Sequence, residues 1–313
     1  MPTQQSICAI LNPTAGNGQA GREKHTIEQA LAKHFTDWTI WETLGPRHAT
    51  ALAQKAAEEG FDIVAAIGGD GSCHEVVNGL MLIPKETRPT LALIPFGTGG
   101  DFRKSLDIPK SIDKAIAIAA KGQKQTIDIG TATVTTDNGT QSLFFVNVAG
   151  FGANGEVAEK TNRWSKRFGG RVTFLNATLH TTFTYTPPKV QMKWTSEKGL
   201  DNVWKGELLS CFIANASFCG GGMQVAPKSA LGDGQLHLRV LPKLSVASQL
   251  IHIPKLYTDD IHKIEGSIVG QTIQVDAAPT RGTTVQIDLD GELSGRLPAS
   301  FGLSPKSLTV MRR

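Results

Sequence analysis

The residues with the plainest capacity for chemistry stand near the end of the chain. Asp288-Leu289-Asp290-Gly291-Glu292 closes an apolar run and puts three carboxylates within five residues. Alternate side chains of a strand share a face, so Asp288 and Asp290 are expected to point the same way. Gly291 can then turn the chain and bring Glu292 toward the same space. A carboxylate in reach of an alcohol can take its proton while the oxygen attacks an electrophile. A solvated turn after a strand would use the same residue types, so spacing alone leaves both readings open.

A second set lies in glycine-rich segments near the start. Gly68-Gly69-Asp70-Gly71 follows an apolar run and precedes a helical pattern. Glycines there let the backbone approach phosphate oxygens, and amides at a helix N-terminus can cradle an anion. Asp70 would repel phosphate unless it held a magnesium ion or oriented a neighbouring loop. The competing reading is a tight turn with Asp70 as a helix cap. Asn12-Pro13-Thr14-Ala15-Gly16 and Gly97-Thr98-Gly99-Gly100-Asp101 also follow apolar runs. Asn12 and Thr14 can donate hydrogen bonds to phosphate. Neither the Gly-x-x-x-x-Gly-Lys-Ser/Thr loop nor a Gly-x-Gly-x-x-Gly after the first strand is present, so phosphate would be gripped in another way.

The elements that must position these residues alternate in the first third of the chain. Strands are predicted at 7–11, 39–41, 61–67 and 91–94, and helices around 27–34, 48–59, 75–82 and 112–120. Such alternation predicts an α/β domain with a mostly parallel sheet, whose ligands bind at the C-terminal strand ends. After about residue 125 strand-like runs dominate: 126–129, 143–148, 190–193, 208–214, 236–240, 273–275 and 285–289. Several alternate as a half-buried antiparallel sheet would. A helical stretch covers 156–180. The domain boundary is placed between 125 and 135.

Composition excludes several classes. The 313 residues carry a net charge of +4, too small an excess for a nucleic-acid binder. Four cysteines, Cys8, Cys73, Cys211 and Cys219, have neither metal-site nor disulfide-scaffold spacing. Signal-peptide and membrane-spanning patterns are lacking, so a cytoplasmic protein with peripheral membrane contact is expected.

Taken together, Asn12-Pro13-Thr14-Ala15-Gly16, Gly68-Gly69-Asp70-Gly71, and Pro95-Phe96-Gly97-Thr98 with Asp101-Phe102 resemble the family of diacylglycerol kinases, sphingosine kinases and bacterial lipid kinases. Asn147-Val148-Ala149-Gly150-Phe151-Gly152, Ala226-Pro227 through Asp233-Gly234, and Asp290-Gly291-Glu292 continue the resemblance to the end of the chain. It implies an ATP-dependent kinase of a lipid hydroxyl, with diacylglycerol the foremost acceptor. Other acceptors are a sphingoid base, phosphatidylglycerol or a soluble alcohol. A non-catalytic nucleotide or lipid binder is the alternative outside enzymes.

The resemblance further implies an ATP-binding domain over 1–130 with the tail 300–313, and a β-sandwich-like lipid domain over 131–299. Nucleotide contacts would come from Asn12, Thr14, Thr43, Gly68, Gly69, Asp70, Gly71, Ser72, Thr98 and Asp101. Asp290 matches the general base, Glu292 its acidic companion, and Asp70 an organiser of magnesium and phosphates. Asp233, with the carbonyls of Ala230 and Gln235, matches a structural site for magnesium or calcium. One departure is Gly100, where the family usually has Asn. NAD kinases and phosphofructokinases share the Gly-Gly-Asp-Gly turn, but the Asn-Glu pair that follows it in NAD kinases is missing.

An anionic membrane is the expected partner. Lys160-Thr161-Asn162-Arg163-Trp164-Ser165-Lys166-Arg167 surrounds an indole with positive charge, as an interfacial patch does. The sequence leaves the oligomeric state open, with a homodimer as one option.

Overall fold

The computed structural model describes residues 1–97, 100–163, 170–196, 199–227, 229–258, 260–280 and 282–313. Two compact units emerge, Met1–Ile127 with Lys306–Arg313, and Asp128–Pro305.

In the first unit, β1 (Thr3–Leu11), β2 (Phe35–Glu42), β3 (Ile63–Gly68) and β4 (Thr90–Pro95) are joined through helices. These are α1 (Ala15–Arg22), α2 (Lys24–His34), α3 (His48–Glu58), α4 (Asp70–Leu80), α5 (Asp101–Ser105) and α6 (Ile112–Lys121). The six residues of β3 are buried throughout, as a strand covered on both faces requires. β1 pairs with β2 and β3, and β3 with β4, all in parallel. Registers such as Leu11 with Ile67 and Gly68 with Pro95 bring the strand ends, and the loops beyond them, to one edge. Ile27, Leu31, Ile67, Ile94, Ile116 and Met311 share the core beneath. The Arg88 guanidinium holds the tail by donating to the Ser307 carbonyl.

Chain continues through β5 (Gln123–Thr136), β6 (Gly139–Phe145), β7 (Val148–Gly152), α7 (Ala153–Arg163), α8 (Gly170–Thr184), β8 (Lys189–Ser196) and β9 (Asp201–Ala214). There follow β10 (Phe218–Cys219), β11 (Met223–Gln224), β12 (Leu236–Pro242), α9 (Val246–His252), β13 (Ile268–Pro279), β14 (Gln286–Leu289) and β15 (Glu292–Arg312). In the second unit Phe151 and Phe301 stack with ring centroids 5.7 Å apart, amid Ile213, Leu238, Ile287 and Leu289.

The fold class read from the sequence needs correction. It assumed a self-contained, mostly parallel N-terminal sheet and a separate antiparallel layer. Instead, thirteen strands from both ends of the chain share one order, β12-β13-β8-β9-β7-β14-β15-β4-β3-β1-β2, with β5 and β6 attached through β15. Its ladders are predominantly antiparallel among the described residues. The cause is β15, a strand of 21 residues. It pairs antiparallel with β14 and β13 and then parallel with β4. Burial patterning records which faces of a strand are covered, not the direction of its neighbours, so it could not reveal this join.

Candidate active site

The glycine-rich loops of the first unit are wired to one another. Asn12, just past β1, donates from Nδ2 to Ser72 Oγ at 3.2 Å. Its Oδ1 accepts from the Thr14 N–H at 3.0 Å and the Thr14 hydroxyl at 2.8 Å. Gly16, Asn17 and Gly18 then adopt three successive left-handed conformations. Gly68 is required by packing, because a Cβ there would stand 2.2 Å from Ser72 Oγ. Gly69 differs: a Cβ there would meet nothing nearer than the Phe96 carbonyl oxygen at 3.6 Å. That open backbone, beside the N-terminus of α4, fits close approach by phosphate oxygens. Gly71 lies in the first turn of α4. Thr43 N–H donates to the Leu11 carbonyl at 2.9 Å, which carries the β1–β2 ladder to its end. Thr98 lies outside the described residues.

Asp70 performs the second of its two sequence-read tasks, orienting a loop. Its carboxylate accepts from the N–H groups of Gly100 at 2.7 Å, Asp101 at 2.9 Å and Phe102 at 3.4 Å. Those amides begin α5, so Asp70 caps a helix that is not its own. Burial pushes its carboxyl up, the Asp101 charge adds to this, and the three amides oppose it. Asp101, itself buried, pairs with Lys104 Nζ at 2.7 Å. Gly100 has φ +83°, a conformation that Gly and Asn tolerate better than other residues. The departure from the family's Asn therefore keeps the backbone shape and removes a side-chain amide.

In the second unit, Asp290 departs from strand geometry altogether, with φ 55°. The expectation that Asp288 and Asp290 share a strand face is corrected, since β14 ends at Leu289. The Asp290 carboxylate turns back on the segment joining β6 to β7. It accepts from Val146 N–H at 3.0 Å, Asn147 N–H at 2.8 Å and Val148 N–H at 3.1 Å. Asn215 Nδ2 supports that segment by donating at 2.9 Å to the carbonyls of both Val146 and Asp128. Asp288 lies over Gly150, where a Cβ would stand 2.5 Å from its Oδ2. That oxygen is buried without a hydrogen-bond partner. Burial pushes the Asp288 carboxyl up to about 7; the Gly291 N–H opposes this, and the charges of Asp290 and Glu292 add to it. Glu292 opens β15, half-buried and opposite Leu289.

The turn read as a structural metal site is closed by its own hydrogen bonds. Asp233 accepts from Ala230 N–H at 3.2 Å and Gln235 N–H at 3.0 Å, and the Ala230 carbonyl accepts from Asp233 N–H at 3.3 Å. Buried His237 places Nε2 3.3 Å from Asp233 Oδ2. Asp128 Oδ2 accepts from Gly234 N–H at 2.7 Å. No group of three or more His, Cys, Asp and Glu side chains is arranged for a metal among the described residues. The carboxylates of Asp70, Asp233 and Asp290 are engaged with backbone amides.

The comparisons with known proteins cover both sets of residues. The diacylglycerol kinase catalytic domain matches residues 6–132, and the YegS C-terminal NAD kinase beta sandwich-like domain matches residues 147–312. The chain belongs to the diacylglycerol kinase family. It is an ATP-dependent lipid kinase. A diacylglycerol kinase of Bacillus subtilis (strain 168) is 29% identical over 296 residues, spanning 93% of this chain and 91% of that protein. One from Staphylococcus aureus (strain MRSA252) is 28% identical over 295 residues, spanning 93% and 87%. A solved structure from Bacillus anthracis str. Sterne is 25% identical, with a TM-score of 0.79 over 100% of this chain and 97% of that one. The family resemblance read from the motifs is thus confirmed.

Several residues of the candidate site escaped sequence reasoning. Val146, Asn147 and Val148 supply the amides that hold Asp290, and Asn215 and Asp128 support neighbouring turns. The Asn147 motif was visible, but a motif shows its side chains and not the backbone donors it presents. Among the described residues, no helix is long and apolar enough to cross a membrane.

Proposed function

We propose that this kinase transfers the γ-phosphoryl group of ATP to the hydroxyl of diacylglycerol, acting in the cytoplasm at the surface of an anionic membrane. The observation that carries the acceptor is the likeness to relatives named diacylglycerol kinase, which extends over 93% of the chain. The unit containing residues 1–127 takes the nucleotide, and the unit from 128 to 305 takes the lipid.

Asn12, Thr14, Thr43, the Gly68–Ser72 turn and the loop of Thr98 grip the phosphates. Asp70 acts through Gly100, Asp101 and Phe102: it holds the third loop against the second. Backbone amides and the N-terminus of α4 stabilise negative charge on the transferring group. Asp290 takes the proton of the lipid hydroxyl as its oxygen bonds to phosphorus and ADP departs. Three amides fix the orientation of that carboxylate, which is what a general base needs. Glu292 and Asp288 stand beside it and set the local charge. A magnesium ion accompanying ATP would neutralise phosphate charge.

The test is transfer of labelled phosphate from ATP with magnesium to a panel of dispersed lipids. Diacylglycerol is expected to be labelled most, ahead of monoacylglycerol, ceramide, a long-chain base and phosphatidylglycerol. Labelling of another acceptor would reassign the substrate, and labelling of none would overturn the reading.

A further inference from the structure

Helix α8 is apolar on two faces: Ala177 is buried and Phe174 packs against the core of the second unit, yet a second apolar stripe faces outward. Its sequence, Gly-Arg-Val-Thr-Phe-Leu-Asn-Ala-Thr-Leu-His-Thr-Thr-Phe-Thr, places Val172, Leu175, Leu179 and Phe183 at helical spacing. In a water-facing helix of a globular unit this stripe would be buried. Here it is exposed, up to 66% at Phe183, while Thr173, Thr181 and Thr182 are buried. The inward hydroxyls are kept partly satisfied by the helix itself, as Thr178 donates to the Phe174 carbonyl and Thr182 to that of Thr178. Folding therefore leaves this second apolar stripe outside.

The neighbouring α9 behaves alike. It packs against α8 and buries none of its residues. Leu250 and Ile251 are exposed on it, and Tyr257 on the short helical turn that follows. Neither α8 nor the segment 246–257 contains an aspartate or glutamate. Exposed apolar faces on segments without carboxylates suit an anionic bilayer, whose surface would repel acidic side chains.

We propose that the outer faces of α8 and α9 form a docking surface that inserts shallowly into an anionic bilayer. This rests on the lipid-kinase reading, because an enzyme with a bilayer-resident substrate must meet that bilayer. It moves the expected contact away from the Lys160–Arg167 segment. There Lys160 pairs with Glu156 and Arg163 with Glu159, and residues 164–167 lie outside the described residues.

The test compares wild type with the triple variant Leu175→Ser, Leu179→Ser, Phe183→Ser by sedimentation with phosphatidylglycerol–phosphatidylcholine vesicles lacking diacylglycerol. The triple variant is expected to partition about tenfold more weakly or worse, because each lost side chain removes apolar area from the bilayer. Equal partitioning of the two folded proteins would overturn the proposal. Should the triple variant fail to fold, Phe183→Trp decides: quenching by brominated lipid beyond that of wild type supports insertion, and no added quenching refutes it. Dissociation of a wild-type dimer by the triple variant, with vesicle binding unchanged, would assign the face to a second copy instead. Phosphorylation of detergent-dispersed diacylglycerol by wild type is scored separately. Its absence would sink the kinase reading, whereas its presence beside unaltered vesicle binding would sink only the docking face.

Discussion

Asp70 and Asp290 invite comparison. Each is an acid next to glycine in a turn, and each carboxylate gathers three consecutive backbone N–H groups from a distant segment. Their backbones differ. Asp70 opens α4 in ordinary helical geometry, whereas Asp290 is left-handed, an uncommon state for a residue with a side chain. Their surroundings differ too. Asp70 caps a helix and is desolvated, with Asp101, paired to Lys104, close by. Asp290 stands between two other acids, Asp288 and Glu292. The same hydrogen-bond pattern thus serves to join loops in one unit and to aim an acid-flanked carboxylate in the other. A left-handed backbone sets Asp290 apart from Asp70, and it is shared by Asn17, Arg47, Asp107 and Lys306.

The largest expected effect separates the two acids by chemistry. Asp290→Asn should lower kcat by roughly 10²-fold or more, the scale of lost acid–base catalysis. ATP affinity should hold. Assayed alongside under saturation, Asp288→Asn should retain most turnover. If the two outcomes are exchanged, the base is Asp288; if neither variant slows transfer, no general base acts at this turn.

Next in size is the glycine turn that Asp70 begins to brace. Gly69→Val should weaken binding of an ATP analogue by about tenfold or more, since its side chain would occupy the open backbone that phosphate approaches. Its unfolding midpoint should stay near that of wild type, because φ −93° and ψ −167° suit a β-branched residue. Gly68→Ala should do the opposite and lower stability first, through its contact with Ser72. Titration calorimetry and thermal melts together would expose a failure of this split.

A smaller change is expected at Asp70. Asparagine offers one acceptor oxygen in place of two, so Asp70→Asn should cost about 1–3 kcal/mol of stability, the scale of a buried group left unpaired. Nucleotide affinity should fall with it while the pH dependence of kcat is retained. A variant of unchanged stability with a large loss in kcat would place Asp70 in the chemistry and erase the contrast with Asp290.

The smallest effect concerns pH. Asp288 is raised to about 7 in the folded state, so the native protein binds its proton more tightly than the unfolded chain does. Its contribution is present in full below the ordinary carboxylate range and is lost as pH rises through about 7. Denaturant midpoints of wild type should therefore drop relative to Asp288→Asn between pH 4 and pH 8. Parallel curves would mean that the Asp288 carboxyl is not held neutral.

Much of the site was legible because its residue types are scarce in combination. Gly68 to Gly71, Asn12 to Gly16 and Asp290 to Glu292 each stood out by composition, and strands β1, β3, β4 and β12 by their apolar runs. Strand β15 was not legible. It contains Pro298, Pro305, Gly295 and Gly302, residues that ordinarily argue against a long strand, and tertiary pairing overrode that preference. The reading of Asp288 and Asp290 as partners on one face failed for a related reason. Alternation holds only while the backbone stays extended, and nothing in Asp-Leu-Asp-Gly-Glu announces that the third residue turns left-handed.

Sequence by itself determined the family, the kinase chemistry and the short list of residues able to carry it, because motif composition reflects the groups a reaction needs. Tertiary structure alone decided what each carboxylate does. Asp70 became a cap, Asp233 a turn closure and Asp290 a carboxylate aimed by Val146, Asn147 and Val148. Those roles depend on backbone N–H groups that every residue but proline possesses, and only folding chooses which of them point at an acid.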